Sequence, residues 1–252
     1  MPRGPGDLLW QILLFCGAYW VYRLVRGQVW DQSAAAFEHA REIVDAERAL
    51  GLFFEGSLQS WAIGSGWLDD VASWMYLNTH FGVTTVTLAF IYLFRNEHFY
   101  WVRNMFMVAM GLALVGYVLY PTAPPRMLPE LGFSDSVSEF TGVSSDASVN
   151  ALFNPYAAVP SMHVGFALML ALPMIRMAKR RWVQVVWALY PPLVTLVVVV
   201  TANHWVLDAV AGAAVAAVSA LAAQTVFARV RPYAWAWEPS RTDALPAPAR
   251  AG

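Results

Sequence analysis

Six apolar runs, most of them long enough to cross a lipid bilayer, constrain this chain more than any other feature. They cover about Leu8 to Val25, Val71 to Phe94, Trp101 to Tyr120, His163 to Met177, Trp182 to Ala202 and His204 to Phe227. A crossing takes around 20 apolar residues, with a range near 17 to 25; the fourth run falls slightly short. Backbone groups in lipid must be satisfied inside their own segment, so such runs fold as helices. The predicted fold is all-α, an integral-membrane six-helix bundle. Composition agrees: 58% of residues are hydrophobic and 13% charged, against roughly 25% charged in soluble domains. A formal charge of -1 and the lack of a dense basic patch argue against nucleic acid as a partner. The single Cys16 excludes an intramolecular disulfide and any Cys-cluster metal site.

The first run has no clear cleavage signal, so residues 1–30 read as a retained first span. Residues 31–60 mix helix formers with charge, and Phe37, Ile43 and Val44 can share one apolar side. That pattern predicts an additional amphipathic helix lying along the membrane interface. It either covers the bundle or brings Glu47, Arg48 or Glu55 to a reaction cleft. A core over 71–228 follows, including an outward connection over 121–160. Its stretch from Glu130 to Asn150 is rich in Ser, Asp and Gly and reads as a loop, a lid or a rim. Residues 229–252 read as a cytoplasmic tail, disordered beyond Ala244.

Basic residues near span ends set the orientation. Arg95 and Arg103, then Arg176, Lys179, Arg180 and Arg181, then Arg229 and Arg231 form three groups. Placing all three in the cytoplasm puts both termini inside. Arg23, Arg26, Arg41 and Arg48 count against that choice, because they fall near the first outward connection. The choice puts Arg126, His163 and His204 on one side, the outward side of a cell membrane.

Those three residues, with Asp208, carry the chemistry. Ser161 can cap a helix starting near Met162, leaving His163 in its first turn and amides of Ser161 and Met162 near a phosphate. Arg126 ends the stiff segment Pro121-Thr-Ala-Pro-Pro-Arg126 and can clamp a phosphoryl group bidentately. His204 and Asp208, four apart, can share one helix face. The carboxylate then holds one ring nitrogen protonated and turns the other toward phosphorus, making His204 the nucleophile. His163 protonates the departing oxygen and later deprotonates the acceptor. Neither step needs a metal or cofactor. His80 and, around the motifs, Thr201 and Asn203 are further candidates for substrate contact.

Plainer readings compete with each assignment. A membrane histidine can satisfy a helix contact, and Arg126 can anchor to lipid headgroups. Asp208 beside His204 weakens the first, because ionisable groups inside a span need a partner or a cavity. His39 and His98 read as interface or surface residues, and the many Trp and Tyr side chains as interfacial anchors. A non-catalytic transporter or lipid-binding protein could use the same groups to hold a phosphate. A rhomboid-like serine protease fits less well, since Ile63-Gly-Ser-Gly66 lacks the first glycine of its motif.

The order Pro-Pro-Arg126, Pro160-Ser-Met-His163 and His204-x-x-x-Asp208 resembles the type-2 phosphatidic acid phosphatase superfamily. It looks most like the branch related to inositol phosphorylceramide synthase. Asn154-Pro155-Tyr156-Ala157-Ala158, Thr201, Glu47 to Gly51 and Tyr76 to His80 extend the resemblance over roughly residues 35 to 220. It implies a six-helix membrane core, a phosphohistidine on His204 paired with Asp208, and His163 as acid/base. It also implies a lipid phosphate or phosphodiester substrate, with membrane lipids around it and water, an alcohol or a polyol as acceptor. Asn154, Tyr156 and Tyr76 join the substrate-contact candidates on this ground. Three positions depart from the broad phosphatase pattern: Leu119 replaces a lysine, Met162 a glycine and Val198 an arginine. The physiological lipid, the acceptor and the oligomeric state are not legible.

Overall fold

The computed structural model describes residues 3–27, 33–143 and 156–230. Its helices are α1 (Gly4–Gly27), α2 (Ser33–Leu50), α3 (Glu55–Gly64), α4 (Trp67–Phe94) and α5 (Asn96–Leu119), then α6 (Ser136–Thr141), α7 (Met162–Met177), α8 (Arg181–Val200) and α9 (Val206–Thr225). Among the described residues there is no strand, only an isolated bridge between Thr122 and Ala157.

Four helices among the described residues are long and apolar enough to cross a membrane: Trp67–Phe94, Asn96–Leu119, Arg181–Val200 and Val206–Val230. The expectation of six spans is therefore met only in part. Helices do form at the first and fourth runs. However, α7 has 16 residues, about 24 Å at 1.5 Å per residue, and falls short of a hydrocarbon core of about 30 Å. α1 is not among the four and buries Asp7 and Gln11 against the bundle.

α7 is central, packed by α8, α9, α5 and α4. Without a hydrophobic force between helices in lipid, small residues must bring backbones together. At the top of α7 they do so. A Cβ on Gly165 would meet the Gly212 carbonyl oxygen at 3.2 Å, and one on Gly116 of α5 would meet Pro160 Cδ at 2.8 Å. A Cβ on Gly212 of α9 would collide with the carbonyl oxygen of Ser161. Below this contact Met105, Phe106, Ala109 and Ala113 of α5 close the core against Met169 and Leu170 of α7.

A second layer covers that end. The segment expected to form one interfacial helix over 31–60 is two: α2 ends at Leu50, where Gly51 takes a left-handed φ of +68°, and α3 starts at Glu55. Gly is the residue that adopts this stop at least cost. α2 buries Ala36, Ala40, Ile43 and Val44 against Leu128, Phe133 and Trp205. Part of the expected 130–150 loop is folded: Pro129–Leu131 is a 3-10 turn and α6 is capped by Asp135, which accepts the Ser138 N–H (3.1 Å). Gln59 of α3 donates to the Ser134 carbonyl (2.9 Å) and so ties this segment to the layer. The remainder of the loop, 144–155, and the tail from 231 lie outside the described residues.

Arg103 departs from its expected place as a flanking charge. It is 1% exposed, donating to Gln11 Oε1 (3.2 Å) and Asn104 Oδ1 (2.9 Å). It therefore leaves the set of basic residues on which the orientation was read.

Candidate active site

The site is assembled by backbone hydrogen bonds between segments far apart in sequence. Thr122 N–H donates to the Tyr156 carbonyl (2.7 Å), laying the Pro121–Arg126 segment beside the strand-like entry to α7. Ala123 N–H donates to the Ala36 carbonyl of α2 (3.0 Å), and Arg126 N–H to the Ala202 carbonyl (2.9 Å). Trp205 Nε1 donates to the Ala123 carbonyl (3.0 Å). Three prolines leave few donors in this segment, and those that remain are spent on these contacts.

His204 does not sit within a helix, contrary to the expected shared helix face. α8 ends at Val200, and residues 201–205 form a tight turn in which Ala202 holds a φ of +51°. That region is strained for a residue with a Cβ. α9 starts at Val206. Asp208 thus lies in its first turn, where its Oδ2 accepts the Trp205 N–H (2.9 Å) and meets His204 Nδ1 at 3.2 Å. The carboxylate is fully buried and His204 5% exposed. With Nδ1–H directed at Asp208, Nε2 carries the free lone pair. It faces His163 Nδ1 at 3.3 Å.

His163 is in the first turn of α7, as expected, because Ser161 occupies the N-cap position. The expected cap itself is not made: Ser161 Oγ has no hydrogen-bond partner, and its N–H donates to the Asp208 carbonyl (3.0 Å). The start of α9 thus takes the Ser161 amide. Met162 is buried, its side chain folded against Gly165.

Arg126 meets the His204 turn through its side chain as well. Its Nη1 donates to Asn203 Oδ1 (2.6 Å), and its Nε lies 3.7 Å from Asp135 Oδ2. Asn203 in turn donates to the Thr201 carbonyl and to Thr201 Oγ1, both at 3.0 Å. Thr201 and Asn203 therefore shape the turn.

On the other flank Tyr76 stacks on His163 at 4.8 Å, and His80 lies 4.4 Å from it, centroid to centroid. His80 is buried, with no hydrogen-bond partner on Nδ1. It sits midway along α4, which runs from Trp67 to Phe94. Tyr76, His80 and His163 line a small pocket with Val194, Val197 and Val198. Val198, at one of the two lost cationic positions, packs in an apolar cluster; Leu119, at the other, is 73% exposed on the bundle's outside.

Glu47 and Glu55 come to the site from the covering layer. Glu47 Oε1 accepts the Leu207 N–H (2.7 Å) and Glu55 Oε1 the Val206 N–H (3.1 Å). With Asp208 on the Trp205 N–H, three carboxyls satisfy three consecutive donors that open α9. Arg48 is elsewhere, exposed and lying over the Phe53 ring at 4.8 Å. Tyr156 is buried against Phe37 at 6.1 Å, on the far side of the bridge. Asn154 lies outside the described residues.

Two residues of the site carry no sequence signal that was used. Trp205, read as an interfacial anchor, is fully buried, packed by Phe53 and Phe133. Asp135 was one polar residue of a polar loop. His39 is half-buried: its Nδ1 lies 2.7 Å from the Pro121 carbonyl, and it stacks on Tyr120.

A sequence-family profile described as PAP2 superfamily matches residues 41–222. The chain belongs to the PAP2 superfamily. Comparison with curated proteins and with solved structures gives no match. The matched region runs from α2 into α9 and contains Arg126, His163, His204 and Asp208. Membership points to phosphatase or phosphotransferase chemistry on lipid phosphates, and the four spans to a membrane protein.

Proposed function

We propose that the chain is an integral-membrane enzyme that moves a phosphoryl-containing group from a lipid to an acceptor through a phosphohistidine on His204. One observation carries the proposal: the relay Asp208–His204–His163, with 3.2 Å and 3.3 Å between successive polar atoms, centred on a buried turn that Arg126 also grips. In the first step His204 Nε2 forms a bond to phosphorus as the bond to the leaving oxygen breaks. His163 Nδ1 gives its proton to that oxygen. In the second step the acceptor hydroxyl returns a proton to His163 as its oxygen displaces His204. The substrate phosphate has to part the two rings, and Arg126 offsets its charge.

The charge balance favours a phosphodiester over a phosphomonoester. Val198, beside His163, stands where the broad pattern has a cation, and Asp135 already stands beside Arg126. A singly charged diester fits one partly neutralised guanidinium better than a doubly charged monoester does. This supports head-group transfer to a lipid or polyol acceptor, the chemistry of the inositol phosphorylceramide synthase branch.

The test is turnover in reconstituted vesicles, with labelled phosphodiester lipids and phosphomonoester lipids, each with and without an alcohol acceptor. Acid-labile label trapped on the wild-type chain and absent from His204→Ala is expected. Reversible lipid binding with no turnover would leave a carrier as the better description.

A further inference from the structure

The carboxyls of Glu47 and Glu55 do more than end a helix. Both side chains are fully buried, and they accept from consecutive amides, Leu207 and Val206, at the start of α9. Each uses Oε1 on an α9 amide and has no other donor for Oε2. Two buried carboxylates cannot stand side by side with both charges, whereas one proton between the two Oε2 atoms satisfies both. We infer that Glu47 and Glu55 share one proton and, in that state, act as positioning residues that hold the His204 turn for attack. The inference rests on the reading of His204 as the reacting residue.

The link to His204 is short. Leu207 and Val206 are followed directly by Asp208, whose Oδ2 reaches both the Trp205 amide and His204 Nδ1. A shift of the first turn of α9 therefore moves the carboxylate that sets the ring's tautomer. The groups facing Glu47 are Glu55 on α3 and Asp208 on α9, all acidic, with His204 behind Asp208; Arg48 on its own helix turns outward. Among the described residues, no Lys or Arg forms an ion pair with Glu47 or Glu55. Burial first, and then Glu55, push the Glu47 carboxyl up to about 9, against the pull of the Leu207 amide.

The sign follows from linkage. A carboxyl that binds its proton more tightly folded than unfolded contributes stability that is full below its unfolded value, near 4.5. That contribution fades as pH rises toward about 9. The expected wild-type behaviour is a kcat and a thermal midpoint that both fall on the alkaline side. Glu47→Gln supplies a permanent N–H toward Glu55 Oε2 while keeping an oxygen for Leu207.

The experiment measures kcat, KM and melting of the full chain in detergent from pH 6 to 10. Glu47→Ala should lose roughly ten- to a hundredfold in kcat, with KM within about twofold. Glu47→Gln should recover most of that loss and flatten the alkaline limb, and Glu55→Gln should flatten it in the same way. An alkaline limb that superimposes on wild type in both Gln variants overturns the shared proton. Equal kcat in Glu47→Ala and wild type overturns the positioning role. If wild type shows no turnover at all, the phosphotransfer reading fails instead, and melting against pH still decides whether the proton is shared. Should Glu47→Ala not fold, the two Gln variants decide.

Discussion

Two buried polar clusters lie at different places in this bundle, and they are built to different ends. Between α1, α4 and α5, Asp7 Oδ2 accepts from Tyr92 (3.0 Å) and Tyr100 (2.8 Å), and its Oδ1 from Gln11 (3.0 Å). Arg103 then bridges Gln11 and Asn104. Apart from Asn104 Nδ2, these polar groups have partners, and rings of Tyr100 and the guanidiniums of Arg3 and Arg103 stack to seal the cluster. At the site, by contrast, Ser161 Oγ, Asp208 Oδ1 and His80 Nδ1 have none. A satisfied network fixes α1 to the bundle. An unsatisfied one holds capacity for a substrate and its protons.

The comparison breaks most sharply at His204. His204→Ala should lower turnover of a labelled lipid phosphodiester by at least about a thousandfold while leaving the melting midpoint near wild type. Next comes Asp208→Asn, expected to cost roughly a hundredfold in kcat by releasing the tautomer, read in the same assay. His163→Ala should impair a poor alcohol leaving group far more than an activated aryl ester, and the ratio of the two rates measures it. In the other cluster the order of effects inverts. Asp7→Ala should reduce stability by roughly 2–4 kcal/mol in detergent unfolding, with kcat of the folded fraction unchanged. The smallest effect belongs to Asp135→Asn, about threefold. It should shift preference toward phosphomonoesters, seen as a changed ratio of kcat/KM for the two lipid classes.

Helix positions were legible because long apolar runs have few alternatives, so α4, α5, α8 and α9 appear close to where the hydropathy puts them. The convergence of Arg126, His163 and His204 was legible too, from topology. What was not legible depends on contacts over long sequence distances. The i, i+4 spacing of His204 and Asp208 fits a helix face and an N-terminal turn equally well, and only the strained Ala202 shows which. Glu47 bonds an amide 160 residues away, for which no local pattern exists. Arg103 looked like a flanking charge because its partners sit in α1 and on the next residue, hidden from any window. Ser161 had the right residue type and position for a cap, yet its Oγ accepts no amide of α7.

The hydrogen that stands for a side chain at Gly212 has a consequence of its own. It lets the Ser161 carbonyl pass over α9, and that same passage joins the Ser161 amide to Asp208. A methyl group there would wedge the two helix starts apart, and with them the rings of His163 and His204. The gap between those rings is thus gauged by the bare backbone of a glycine on α9, some distance from either ring.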